Sequence, residues 1–165
     1  MSDIYSVIIY PILFILPAYV ANGAPVLFGG GRPIDLGRKL GSKPVLGKNK
    51  TYRGLIAGIL VGTLIGFGES YLLPFMLAIA IAESLGTHFG DLFGSFVKRR
   101  LGMKSGQSNA LMDQYLFVIF AILFAAPLGH LPEIWGIVFI LIITGTLHLL
   151  TNTVAHRLKL KEVPW

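Results

Sequence analysis

The chain has 165 residues, 54% of them hydrophobic and only 13% charged, with a formal net charge of +6 and a mean hydropathy of +0.72. A soluble domain of this length needs more polar surface, so the composition predicts an all-α integral membrane protein, a single domain over 1–165. The absence of cysteine excludes a disulfide framework and a thiolate metal site. The positive charge does not point to nucleic acid, because the cations flank apolar runs and no RNA- or DNA-binding signature is present.

Five apolar segments follow one another, at 4–21, 54–67, 72–93, 111–127 and 134–151. Each run is continuous rather than alternating, which predicts helices and not barrel strands. The first run is preceded by Asp3 and no cation, so it reads as a span and not as a cleaved signal peptide. Pro11 and Pro17 are expected to kink it. The second segment falls short of the roughly 20 residues that a span needs, so its ends belong in the interface or in a thinned bilayer. Gly54, Gly58, Gly62 and Gly66 repeat every fourth residue along it, and Gly86, Gly90 and Gly94 do the same on the third. Such stripes let helix backbones approach closely in lipid. They suit packing within one chain or between two copies, which leaves an oligomer open.

All fourteen Lys and Arg residues fall in three places: the first loop, the third loop and the C-terminal tail. The connections around Glu69 and Glu133 carry carboxylates and no cation. Five spans put the three basic segments on one side, and basic loops stay in the cytoplasm during insertion. The expected topology therefore has the N-terminus outside and the C-terminus cytoplasmic, with cytoplasmic loops at about 29–53 and 94–110 of a multi-pass cell-membrane protein.

The third segment contains Glu83, His88 and Asp91 within an apolar run. Ionisable groups inside a span are expensive and mark functional sites. Asp91 lies near the basic end of its helix, and Glu83 lies about 12 Å deeper at 1.5 Å per residue. Glu83 reads equally well as a packing residue, and His88 reads first as polar packing. Asp113 opens the fourth segment at the level of Asp91. Two carboxylates among Lys and Arg suit hard oxygen ligands for magnesium, the rest of whose shell is water and substrate phosphate. The plain alternative is that each carboxylate pairs with a nearby Arg.

The first loop carries Gly29-Gly30-Gly31-Arg32-Pro33-Ile34-Asp35 and then Lys48-Asn49-Lys50-Thr51-Tyr52-Arg53-Gly54. Glycines let backbone N–H groups approach an anion. Lys48, Lys50 and Arg53 add charge beside a helix N-terminus, itself an anion-attracting element. The stretch from Gly41 to Lys48 fails the phosphate-loop pattern, with five residues between its glycines and Asn49 in place of Ser or Thr. A polyphosphate site is the reading adopted here, against a generic basic loop touching anionic head groups.

The run from Gly90-Asp91 through Gly94-Ser95 to Lys98-Arg99-Arg100, followed by Lys104-Ser105 and Asp113, resembles the signature of CTP-dependent phosphatidate cytidylyltransferases. The whole chain is similar to their compact archaeal relatives, the CDP-archaeol synthases. The first-loop stretches and the Pro164-Trp165 ending fit that subfamily. The resemblance implies that Asp91 and Asp113 are a magnesium-linked acidic pair, and that Ser95, Lys98, Arg99 and Lys104 serve the signature's phosphate site. It implies catalytic roles for Asp91, Asp113 and Lys98. CTP and its phosphates would be held by Gly30, Gly31, Arg32, Lys48, Asn49, Lys50, Thr51 and Arg53 as well. The bacterial relatives have Arg where this chain has Gln114, and His-Gly-Gly before the second aspartate where this chain has Gln107-Ser108-Asn109-Ala110. The bacterial roles of those positions are therefore not transferred.

The implied reaction joins CTP to an unsaturated archaeal ether-lipid phosphate, 2,3-di-O-geranylgeranylglyceryl phosphate, and releases pyrophosphate. The rival expectation is a non-enzymatic membrane module that binds anionic lipid or an acidic partner, which leaves the two aspartates without a role. A transporter is weakened by the absence of a detectable inverted repeat.

Overall fold

The structure is a computed structural model that describes residues 3–107 and 109–157. Ser108, Lys159, Lys161 and the Pro164-Trp165 ending lie outside the described residues. Five long helices run in chain order: α1 (Tyr10–Phe28), α2 (Tyr52–Glu69), α3 (Met76–Arg100), α4 (Ala110–Ala125) and α5 (Ile134–Arg157). A short antiparallel hairpin, β1 (Lys39–Leu40) and β2 (Lys43–Pro44), stands in the first loop.

The five helices fall on the five apolar segments, with shifted ends. A π-helical turn, Tyr5–Ile9, leads into α1, and the Tyr10 N–H reaches back to the Tyr5 carbonyl. It immediately precedes Pro11, which has no N–H to continue the regular ladder. α1 then continues past the expected end at Ala21 to Phe28, with Pro17 and Pro25 inside it. α3 also runs on, through Gly94 to Arg100, so the loop expected from 94 begins only at Leu101.

The glycine stripes pack the bundle within one chain. The four glycines of the α2 stripe, Gly54, Gly58, Gly62 and Gly66, are all buried. A Cβ on Gly58 would collide with His88 of α3 and with the Ala21 carbonyl of α1. One on Gly62 would meet Ser84 as well as Ala21 and the Pro17 carbonyl. Gly86 and Gly90 of α3 play the same part against the backbone of α4 at Phe120 and Leu116. The opposite face of α2, at Ile56, Leu60 and Leu64, is exposed. Helices thus meet backbone to backbone, as small residues permit in lipid.

The apolar core, with Phe14, Ile15, Met76, Ile79, Val118 and Ile140, occupies the half of the bundle remote from the basic loops. Toward those loops the interior of α3 turns polar. Glu83, Ser84, Thr87 and His88 are buried, whereas Ile81, Leu85, Phe89 and Phe93 are exposed on the other side. This is the reverse of a soluble amphipathic helix and fits a protein whose outer solvent is lipid. By length and composition three helical segments are fit to cross a membrane, Tyr5–Phe28, Tyr52–Glu69 and Leu111–Leu128, and a shorter apolar stretch lies at Ile134–Leu147.

Candidate active site

The site forms where the first and third loops close over the ends of α1, α3 and α4. The first loop is organised by Asp35. One carboxylate oxygen accepts from the Gly37 N–H at 3.0 Å, and the other from Leu46 and Gly47, each at 2.9 Å. Burial alone would raise this carboxyl, but the three backbone donors outweigh it and hold it below the usual carboxylate range. A bridge between Pro33 and Thr51, with the Ile34 N–H on the Lys50 carbonyl at 2.8 Å, fixes the stretch that carries Lys50. Thr51 caps α2 by accepting from the Gly54 N–H at 3.2 Å.

Arg100 ties the hairpin to the end of α3. Its guanidinium donates to the Leu40 carbonyl at 2.9 Å and to the Lys43 and Pro44 carbonyls, while Lys43 Nζ donates to the Arg100 carbonyl at 2.9 Å. Arg100 is thus a structural clamp. Gly47, at φ +105°, lies so close to the third loop that a Cβ would stand 2.7 Å from Ser105 Oγ. The backbone conformation favours glycine there.

Between the loops lies a cleft of about 320 Å³. Lys50 Nζ donates to both oxygens of Asp91 at 2.6 Å. Lys98 pairs with one oxygen of Asp113, whose other oxygen accepts from the Asn109 N–H at 2.8 Å. Asn109 in turn accepts from the Met112 N–H at 3.0 Å, so Asp113 is positioned by the reciprocal cap that starts α4. The partners of the two aspartates are lysines, where arginines were the expected alternative. Arg99 also lines the cleft. It is only 4% exposed, and its Nε has no hydrogen-bond partner among the described residues.

Of the residues singled out in the sequence, Asn49, Lys50, Asp91, Ser95, Lys98, Arg99 and Asp113 line this cleft. Lys104 lines an adjoining cavity of about 300 Å³ that shares Arg99 and Ser105 with it. Thr51 is buried as the cap, beside a smaller cavity. Lys48 is exposed and outside the cleft lining. Gly30 and Gly31 hold φ of +95° and +79° at the start of the loop, with Arg32 exposed after them, and none of the three lines the cleft. Arg53 is exposed and lies in an outward apolar groove with Phe28, Ile56 and Leu60. Asn22, Leu46, Ser105, Gly106 and Gln107 also line the cleft and had not been singled out as site residues. Asn22 could have been found as the lone amide near the end of an apolar run.

The donor set suits a hard divalent cation. Two carboxylates face one cleft, and among the described residues no group of three or more His, Cys, Asp or Glu could hold an ion unaided. A hard divalent cation held by two carboxylates completes its shell with water and substrate oxygens.

Fold and cleft together define a membrane-embedded helical protein with a cation-rich cleft at one end of its bundle. The chain belongs to the CarS-like family, described as CDP-archaeol synthase, which it matches over residues 4–165. It is 44% identical over 160 residues to the CDP-archaeol synthase of Pyrococcus abyssi, covering 92% of this chain and 95% of that protein. It is 44% identical over 156 residues to that of Methanopyrus kandleri, covering 92% and 90%. A solved structure of an intramembrane enzyme for archaeal membrane lipids biosynthesis superposes with a TM-score of 0.83 at 36% identity, over 88% of this chain and 94% of that one.

Proposed function

We propose that this protein transfers CMP from CTP to 2,3-di-O-geranylgeranylglyceryl phosphate, forming CDP-archaeol and pyrophosphate. All five helices span the cell membrane, with the N-terminus outside and the cleft and C-terminus on the cytoplasmic face. The polar interior and apolar exterior of α3 support counting it as a span, and the grouping of the cations supports the orientation.

The observation that carries the reading is the Arg99 guanidinium, buried and without a hydrogen bond at its Nε, in a cleft that also holds two Lys–Asp pairs. A buried cation left without an anion is costly, so the cleft is built to receive one from outside. A nucleoside triphosphate supplies it. Lys50 and Lys98 are held in place by their aspartates and exchange toward phosphate oxygens when substrate arrives. Ser95 adds a hydroxyl donor and Asn49 an amide at the rim.

The acceptor is a phosphate oxygen, already anionic at neutral pH, so no general base is required. It attacks the α-phosphorus of CTP, and pyrophosphate leaves as the bond to the β-phosphate breaks. The work of the chain is to bring two polyanions together and to meet the charge of the transferred group. Asp91 and Asp113 would hold magnesium, which supplies charge neutralisation at the triphosphate.

The test is labelled CTP with magnesium and the geranylgeranyl ether-lipid phosphate, added to pure protein in detergent. Label entering a lipid-extractable product supports the transfer. A folded protein that binds anionic lipid but neither binds CTP nor labels the acceptor would instead be the non-enzymatic module.

A further inference from the structure

We propose that the small cavity between α2 and α3, beneath the Lys50–Asp91 pair, receives the phosphate of the lipid acceptor, with His88 as its floor. The inference rests on the transfer described above and assigns the place of its second substrate.

The cavity has a volume of about 40 Å³. At roughly 10–15 Å³ for each water-sized group it takes about three, close to the size of a phosphate head. It shares Asn49, Lys50 and Asp91 with the large cleft, so a phosphate in it lies next to whatever phosphate the cleft holds. Its remaining lining differs from the cleft in kind. Pro25, Ile34, Leu55 and Leu92 give it apolar walls within the bundle, where the cleft walls are mostly polar. A group that is anionic at one end and hydrocarbon beyond it matches that lining, and free nucleotide does not.

His88 is the second mark of a ligand. It lines the cavity, is 5% exposed, and its Nε2 has no hydrogen-bond partner among the described residues. Gly58 gives the ring its space, since a Cβ there would strike it. A buried imidazole nitrogen without a partner is costly unless something supplies one. The capped N-terminus of α2 at Thr51 also faces this cavity and adds its positive dipole end. Lys50 and Asp91 then stand at the junction of the two cavities. There an acceptor oxygen forms its bond to the α-phosphorus and pyrophosphate departs into the cleft. No proton need move, because the acceptor arrives deprotonated.

Initial rates are measured with lipid phosphate varied at saturating CTP, and the reverse, for the wild type, Leu55→Trp, His88→Gln and Leu60→Trp. CTP binding by calorimetry serves as the check on folding. Leu55→Trp fills the cavity, and Leu60→Trp alters the exposed outer face of α2. Leu55→Trp and His88→Gln should raise KM for the lipid phosphate about tenfold or more, with CTP affinity changed by roughly twofold at most. Leu60→Trp should behave as wild type. The proposal is overturned if Leu55→Trp binds CTP and keeps the wild-type lipid KM, or if both substrates weaken in parallel. It is equally overturned if Leu60→Trp alone raises the lipid KM, which would place the acceptor on the outer face. A wild type that binds CTP but labels no lipid would instead overturn the transfer itself.

Discussion

Two stretches of α3 carry ionisable groups under opposite conditions. From Asp91 to Arg99, at the loop end, the charged side chains meet partners from other elements or open on the cleft: Lys50 on Asp91, Asp113 on Lys98, and the cleft itself at Arg99. Two turns deeper, Glu83 is fully buried and neither oxygen has a partner among the described residues, with Ser84 and Thr87 similarly unpartnered beside it. Ser84 there packs against Gly62, with no room for a Cβ between them. The loop end is arranged for charges to change partners. The middle is arranged for helices to touch. Polarity along α3 therefore marks function only where it coincides with open volume.

The sharpest way to break that contrast is to remove charge at the loop end. Asp91→Asn and Asp113→Asn should each lower turnover by about 100-fold or more in a protein that still folds. Steady-state labelling of lipid checks this, and near-normal rates would remove the aspartates from the chemistry. In the middle the large effect should fall on stability instead. Gly62→Val places a side chain against the Pro17 carbonyl and Ala21, and should cost about 3 kcal/mol in a detergent melt.

Asp35 tests whether the loop over the cleft is held by its own hydrogen bonds. Asp35→Ala should cost about 1–3 kcal/mol, since three backbone donors lose their acceptor. The folded-state pKa is depressed, so this stabilisation is fully present above the unfolded value of about 3.9 and is lost as pH falls through the folded one. Melting curves of wild type and variant should converge toward strong acid and separate above it. The smallest effect belongs to Glu83→Gln, an isosteric change inside the packed region. Turnover should shift by roughly twofold or less; a large loss would give Glu83 a role beyond packing.

The helices were legible because continuous apolar runs and fourfold glycine spacing are one-dimensional signals of lipid-facing packing. Their ends were not. The loop is expected from 94, yet Gly94 packs against Leu116 of α4 as the last of its stripe, so α3 continues and brings Ser95, Lys98 and Arg99 to the cleft on helix rather than loop. The first run is expected to end at Ala21, yet α1 continues to Phe28 and so carries Asn22 into the cleft wall. The charge pattern pointed to the end of the bundle where the cleft lies but could not divide the cations among its surfaces. Lys50 and Arg53 are three residues apart, and the start of α2 separates them into the cleft and an outward groove. The partner of each aspartate was equally hidden, because each pair joins two different elements, 41 residues apart for Lys50 and Asp91 and 15 for Lys98 and Asp113.

The central claim is that the cleft around Asp91, Asp113 and Arg99 is a nucleotide site. It is tested most directly by calorimetric titration of CTP into wild type and Arg99→Gln, with and without magnesium. The account predicts one CTP per chain, bound only with the divalent cation and lost in Arg99→Gln. CTP binding that is indifferent both to the cation and to Arg99 would contradict it.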